Sequence, residues 1–282
     1  MAKILIAGCG YVGEALGKLL LADGHEVWGL RRNPRSLPAG IASIAADLTQ
    51  ASDLRDLPAG LDCVFYLVSP NGSEDALYRH AYVDGLRGLL AALERHRQRP
   101  RLLFASSTAV YWQRHGEWVD EESETAPEHW SGTRILEGER LALGSLPSTT
   151  VVRFGGIYGP RRTRLIDCVR SGRATYRDDP PHYTNRIHRD DCAGALRHLM
   201  SLDAPESIYL AVDNEPVEER TLLLWLAGVM GSPEPRAAEG HQSEKRPRGN
   251  KRCRNARLVR SGYKFRYPTF REGYSAVLEQ LV

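Results

Sequence analysis

The stretch K-I-L-I-A-G-C-G-Y-V-G, Lys3 to Gly13, decides the fold. Ile4 to Ala7 is an apolar run of strand length, and Val12, Leu16, Leu19 and Leu20 follow at helical spacing. Between them Gly8, Gly10 and Gly13 stand at the spacing G-x-G-x-x-G. A strand, a glycine turn and a helix in this order make the first crossover of a dinucleotide-binding fold. Gly8 permits the tight turn, Gly10 lets a pyrophosphate approach the backbone, and Gly13 lets helix and strand pack closely. The phosphates would lie at the helix N-terminus, beside Tyr11 and Val12, where unpaired N–H groups and the helix dipole favour negative charge.

Outward from the turn, Glu26–Leu30 reads as a second strand ending in G-L-R-R, Gly29 to Arg32. An acidic residue there would bind the ribose 2′-hydroxyl of NAD, whereas Arg31 and Arg32 suit the 2′-phosphate of NADP. NADP is therefore the expected cofactor, with NAD as the alternative. Ile41–Ala46 is a weak third strand leading to Asp47-Leu48, where Asp47 either meets the adenine amino group or simply shapes a turn. Leu61–Val68 is a strong apolar strand, and Val68 and Ser69 at its end should lie beside the nicotinamide ribose. A long helix over Asp75 to Arg97 and strands at Arg101–Ala105 and Thr149–Phe154 continue the alternation. Alternating strands and helices predict an α/β fold, a Rossmann-type doubly wound parallel sheet with its ligand at the carboxyl ends of the strands.

Beyond Gly159-Pro160 the pattern loosens into short helices (Leu165–Ser171, Asp190–Leu202, Glu218–Met230) and short strands (Thr184–His188, Ile208–Ala211). The expected organisation is a dinucleotide-binding domain over 1–159, to which 184–203 returns, and a smaller α/β substrate region over 160–282. The polar stretch Ser232 to Arg254 holds Arg236, Lys245, Arg246, Arg248, Lys251, Arg252 and Arg254 against Glu234, Glu239 and Glu244. It reads either as a solvated loop or as a phosphate clamp over an anionic substrate. Aromatic residues are not interleaved with its charges, and the net charge of the chain is only +3, which argues against nucleic acid. The five cysteines are odd in number and none forms a C-x-x-C pair, which suits reduced thiols. The apolar start is too short for a signal peptide, and no run nears the roughly 20 apolar residues that span a bilayer. A soluble cytoplasmic protein is expected, with no membrane partner.

Five stretches carry a family resemblance: G-C-G-Y-V-G, D-L at Asp47, S-S-T-A-V-Y from Ser106 to Tyr111, R-F-G-G-I-Y-G-P from Arg153 to Pro160, and I-H-R-D-D-C-A from Ile187 to Ala193. In order and spacing they resemble the extended short-chain dehydrogenase/reductase family, which includes nucleotide-sugar epimerases and dehydratases. The tail, Y-L-A-V-D-N-E-P from Tyr209 and Y-P-T-F-R-E-G-Y from Tyr267, resembles an atypical subgroup of it. The resemblance implies three catalytic groups: a Tyr acid/base, a Lys four residues later that binds the nicotinamide ribose, and a Ser or Thr on the substrate oxygen. Ser107 matches the last. At the Tyr-x-x-x-Lys position stands W-S-G-T-R, so Trp130 replaces the Tyr and Arg134 the Lys. Indole N–H is only a donor and cannot abstract a proton. Arg134 can hold a ribose, but its charge is permanent. Glu128, His129 and Asp120 are the candidates for a displaced acid or base.

Arg153 and Arg186 are expected near the substrate cleft, where each could fork to a phosphate or carboxylate or else make a structural ion pair. His188 reads as the end of a strand and Asp190 or Asp191 as the cap of the next helix, not as metal ligands. No metal is expected. The resemblance implies an NADP-dependent epimerase, dehydratase or reductase acting on a small polar, anionic or nucleotide-sugar-like substrate. The alternative is a non-catalytic dinucleotide-binding sensor or scaffold, because binding needs only the glycine turn and the sheet edge. A homodimer through the helices near 75–97 and 131–143 is implied by analogy.

Overall fold

The computed structural model describes residues 1–34, 37–177, 180–238 and 249–281. In chain order its strands are β1 Lys3–Ala7, β2 Glu26–Arg31, β3 Ala42–Ala45, β4 Cys63–Tyr66, β5 Arg101–Ser107, β6 Glu117–Val119, β7 Thr149–Phe154, β8 Gly156–Tyr158, β9 Thr175–Tyr176, β10 Tyr183–Thr184, β11 Arg186–His188, β12 Ile208–Ala211, β13 Val217–Glu218, β14 Arg236–Ala237 and β15 Lys251–Cys253. Seven of them form one parallel sheet in the order β12-β7-β5-β4-β1-β2-β3. The order reverses between β1 and β4. The glycine turn therefore sits at the switch point, where crossovers diverge and leave a crevice.

The helices are α1 Tyr11–Ala22, α2 Asp75–Arg79, α3 Gly85–Arg95, α4 Trp130–Leu143, α5 Arg164–Arg170, α6 Arg189–Ser201, α7 Glu219–Met230, α8 Ala256–Arg260 and α9 Phe270–Glu279. Strand period two assigns the faces. Ile4 and Ile6 pack with Leu16 and Leu20 of α1 and Leu196 and Leu199 of α6. Leu5 and Ala7 pack on the opposite side with Leu86 and Leu89 of α3 and Ile135 of α4. A third core joins Ile166, Leu222, Leu226, Phe270 and Val277 from α5, α7 and α9. Segment 189–211 returns to the first region: α6 packs on α1 and β12 extends the main sheet.

Three expected elements differ. The long helix over 75–97 is interrupted by a π-helical turn, His80–Asp84, between α2 and α3. Tyr66 Oη donates to the Ala81 carbonyl at 2.5 Å, which holds that wider turn against the sheet. The strand expected over 184–188 is split at Asn185, whose amide donates to the Lys251 carbonyl and accepts from Cys253 N–H. Its halves pair with different partners, β10 with β13 and β11 with β8. The basic stretch is not wholly a solvated loop: β14 pairs β9 and β15 pairs β6. Glu239, Glu244, Lys245, Arg246 and Arg248 lie outside the described residues.

Beneath the sheet edge, Arg153 of β7 forks to Glu139 of α4, Nε to Oε1 at 2.9 Å and Nη2 to Oε2 at 2.8 Å. Its Nη1 donates to Tyr111 Oη at 2.8 Å, and Ser106 Oγ also donates to Glu139. Arg153 is 3% and Glu139 1% exposed. The structural ion pair is thus what Arg153 makes. Every nitrogen of its guanidinium is committed inside the protein, and none faces the clefts.

Candidate functional site

Gly8 leaves β1 with φ +83°, and a β-carbon there would lie 2.6 Å from Val68 N. The turn is tied to β2 by Gly8 and Cys9 N–H donating to the Leu30 carbonyl at 2.9 and 3.1 Å. Gly10 differs: a β-carbon on it would meet only the Gly8 carbonyl, at 3.9 Å, and would stand in the open cleft. Gly13 packs against β1, its would-be β-carbon 3.0 Å from Ile6 Cγ2. Gly10 is also the N-cap of α1 and offers no side-chain cap, which leaves the first amides for an anion.

The cleft above this turn has a volume of about 320 Å³. Tyr11 and Val12 of α1, Arg31 and Arg32 at the end of β2, Asp47 and Leu48 after β3, and Val68 and Ser69 after β4 all line it. Arg31 and Arg32 do different things. Arg31 Nη1 bonds Glu14 Oε1 at 3.1 Å and the Cys9 carbonyl at 3.2 Å, so it braces the turn. Arg32 is exposed at the rim. Asp47 accepts from Thr49 N–H and Oγ1 at 2.9 and 2.8 Å. Burial works to raise its carboxyl, but those bonds with His80 and Arg32 nearby hold it below the usual range.

A second cavity, about 1510 Å³, opens beside the first. Ile157 and Arg162 line both. Ser107, Glu128, His129 and Arg186 stand in its walls. Ser107 Oγ accepts from Ala109 N–H at 3.2 Å. Glu128 pairs with Arg114 at 2.6 Å, and Asp120 is taken up in a local turn with Ser123. His129 caps α4: its Nδ1 accepts from Ser131 N–H at 3.2 Å and lies 2.8 Å from Ser131 Oγ.

Neither Trp130 nor Arg134 lines either cavity. The Trp130 ring meets Tyr78 edge-on at 5.1 Å. Arg134 forks to Asp75 at 2.8 and 3.0 Å and reaches Glu137 at 2.9 Å. The residue that faces the cavity is the next one along, Ser131. Four residues on, Ile135 is 3% exposed in the core. One residue turns a helix by about 100°, so Ser131, and not Trp130, stands on the cavity side of α4. The usable signal was the buried side of α4: Gly138, whose β-carbon would sit 2.6 Å from the Tyr82 carbonyl, and Glu139 on Arg153.

The deep wall is Tyr158, stacked on Tyr274 at 4.2 Å, with Arg186 beside it. Among the described residues Tyr158 Oη, Arg186 Nε, Asp213 Oδ2, His188 Nε2 and Tyr11 Oη are buried without a hydrogen-bond partner. Burial pushes the Asp213 carboxyl up to about 8 and the His188 imidazole down to about 4. His188, not Asp190 or Asp191, caps α6, accepting from Asp190 N–H at 3.2 Å. Asp191 instead anchors the C-terminal segment, accepting from Tyr263 Oη at 2.7 Å and from Arg266 and Tyr267 N–H at 2.7 and 3.0 Å.

Comparison with known proteins agrees with this architecture. A solved structure from Methylobacillus flagellatus assigned to the NAD-dependent epimerase/dehydratases is 37% identical, with a TM-score of 0.81 over 99% of this chain and 98% of that one. Protein YeeZ of Escherichia coli K12 is 29% identical over 219 residues, 74% of this chain and 77% of its own. The 2-alkyl-3-oxoalkanoate reductase of Stenotrophomonas maltophilia is 27% identical over 258 residues, 82% of this chain and 76% of its own. No helix among the described residues is long and apolar enough to cross a membrane. Residues 4–170 match the sequence model of one family, and by that match the chain belongs to the NAD dependent epimerase/dehydratase family.

Proposed function

We propose that this protein is an NADP-dependent oxidoreductase of the epimerase/dehydratase type, acting on a small polar, anionic substrate held in the larger cavity. The observation that carries the reading is the junction of the two cavities at Ile157 and Arg162, with Ser107 and the His129–Ser131 pair in the wall of the second. The similarity to a reductase whose named substrate is an alkanoate, hence a carboxylate, supports the anionic class. A bound nicotinamide would supply the hydride chemistry. The amides at the start of α1 would hold the pyrophosphate, Asp47 the adenine end, and Val68 with Ser69 the nicotinamide side. The substrate oxygen would lie between Ser107 Oγ and Ser131 Oγ. Ser131 Oγ can pass a proton to or from His129 Nδ1, 2.8 Å away, which replaces the Tyr–Lys pair with a hydroxyl–imidazole relay.

Two predictions test this reading. Arg32→Ala weakens NADPH binding in calorimetric titration by roughly 10- to 150-fold and NADH binding little, because one charge-assisted contact to the 2′-phosphate is worth about 1.5–3 kcal/mol. Arg31→Ala weakens both cofactors alike, because Arg31 braces the turn they share. Equal losses for Arg32→Ala would mean that it does not read the 2′-phosphate. Second, His129→Ala and Ser131→Ala each lower kcat by roughly 10²- to 10⁴-fold on a substrate found by screening 3-oxo acids and nucleotide sugars with NADPH. Normal turnover in both variants would sink the relay. Tight NADPH binding without turnover across the whole panel would favour the sensor reading, which rests on Ser131 and Ile135 occupying the cavity-facing and core-facing places of α4.

A further inference from the structure

Lys251 begins β15 and is 5% exposed, yet its side chain is in the wall of the larger cavity. Its backbone is fixed on both sides. β15 pairs in parallel with β6, Lys251 opposite Glu117, and the Asn185 amide donates to the Lys251 carbonyl at 2.9 Å. The ammonium has no hydrogen bond or ion pair among the described residues. Glu117 does not supply one, because its carboxylate turns back to accept from His115 N–H at 2.8 Å. Asn185, whose amide reaches the Lys251 carbonyl, also receives the Cys253 N–H, and burial keeps the nearby Cys253 thiol protonated. A buried ammonium without a counter-charge is unfavourable compared with a methionine of the same reach. Burial indeed lowers the Lys251 pKa. A cation kept at such a cost in a cavity wall, without a partner among the described residues, suits an anion supplied by a ligand.

The cavity says what that partner is. Among the described residues its walls carry seven Lys or Arg side chains against three Asp or Glu. All three acids are already engaged, Glu128 with Arg114, Asp167 with Thr163, and Glu219 with His182, whose Nδ1 lies 3.9 Å from Glu219 Oε2. Arg186 in the same wall has a buried Nε without a hydrogen-bond partner. Buried donors left open in a roomy polar cavity are satisfied by a ligand's acceptors.

We propose that Lys251 seats the anionic group of the substrate, a carboxylate or a phosphate, with Arg186 in the same wall as its second donor. The proposal deepens the functional reading above and rests on its assignment of this cavity to the substrate. The lysine faces the cavity with a single compact charge, so it positions an oxyanion without reading the rest of the molecule.

Calorimetric titration of the full chain tests this with malonate as the carboxylate probe and inorganic phosphate as the other. The titrations are done with and without saturating NADP on wild type, Lys251→Met and Lys251→Arg. At least one anion binds wild type and Lys251→Arg, and Lys251→Met binds it at least about tenfold more weakly, as expected for one lost charge-assisted contact. NADP affinity is the same in all three, and Lys251→Met melts no lower than wild type. Equal anion affinity in wild type and Lys251→Met overturns the proposal, as does failure of both anions to bind wild type. A Lys251→Met protein that melts well below wild type or fails to fold also overturns it, since the lysine would then serve the fold. Loss of NADP binding in the wild type strikes the functional reading alone, because the NADP-free titration still decides Lys251.

Discussion

Glu139→Ala lowers the melting temperature by on the order of 10 °C. The carboxylate is 1% exposed and accepts two nitrogens of Arg153 and the hydroxyl of Ser106. Truncating it strands a guanidinium that is 3% exposed and removes the link among β5, β7 and α4. Breaking a buried pair from one side costs about 3–5 kcal/mol, and in a chain of this size each kcal/mol shifts the midpoint by about 2–4 °C. The Arg153 contact to Tyr111 Oη, itself bonded to the Asp120 carbonyl at 2.7 Å, carries the damage into the loop that forms the cavity wall. Replacing both partners, Glu139→Leu with Arg153→Met, recovers much of the loss, because no charge is left unpaired. Scanning calorimetry decides the matter: a drop of under about 2 °C for Glu139→Ala would mean that water reaches Arg153 and that the pair does not hold the site together.

Gly10→Val abolishes dinucleotide binding and costs less stability than a side chain at Gly8. The space around a β-carbon at Gly10 is empty apart from one carbonyl oxygen at 3.9 Å, so no neighbouring atom obstructs a side chain there. The φ of −107° is open to any residue, but the ψ of −137° lies outside the β region, so a β-branched side chain carries some local backbone strain there. The valine would instead occupy the approach to the amides of α1. Losing even two charge-assisted contacts to the pyrophosphate weakens binding on the order of 10²-fold or more. Gly8→Ala gives the opposite pattern. Its φ of +83° and the 2.6 Å approach to Val68 N make any β-carbon a backbone clash, so stability falls first and binding falls with it. Thermal melts alongside titration with NADPH and NADH separate the two variants. Wild-type affinity in a folded Gly10→Val protein would remove the pyrophosphate from this turn.

Much of the smaller cleft was legible in the chain because its constraints are local. G-x-G-x-x-G needs only the turn between β1 and α1, and every loop after a parallel strand must emerge at the same edge. The residues named from that logic, Tyr11, Arg32, Asp47 and Ser69 among them, line a single cleft. The second cavity was less legible. Trp130 and Ser131 are neighbours in a helix whose polar and apolar residues are mixed, and nothing local says which one looks outward. Arg31 and Arg32 are likewise equivalent on paper, and only the approach of Glu14 from α1 separates a brace from a rim residue.

The sequence by itself determined the first crossover, the parallel sheet and the edge at which a dinucleotide would lie, because glycine spacing and the periods of strand and helix act over a few residues. The tertiary structure alone decided which side chains meet. Glu139 reaches Arg153 across the gap between a helix and the sheet, Ser131 and not Trp130 lines the cavity, and Lys251 is buried against Asn185, 66 residues away. These outcomes depend on contacts between distant segments, whose energies are set only when the layers pack.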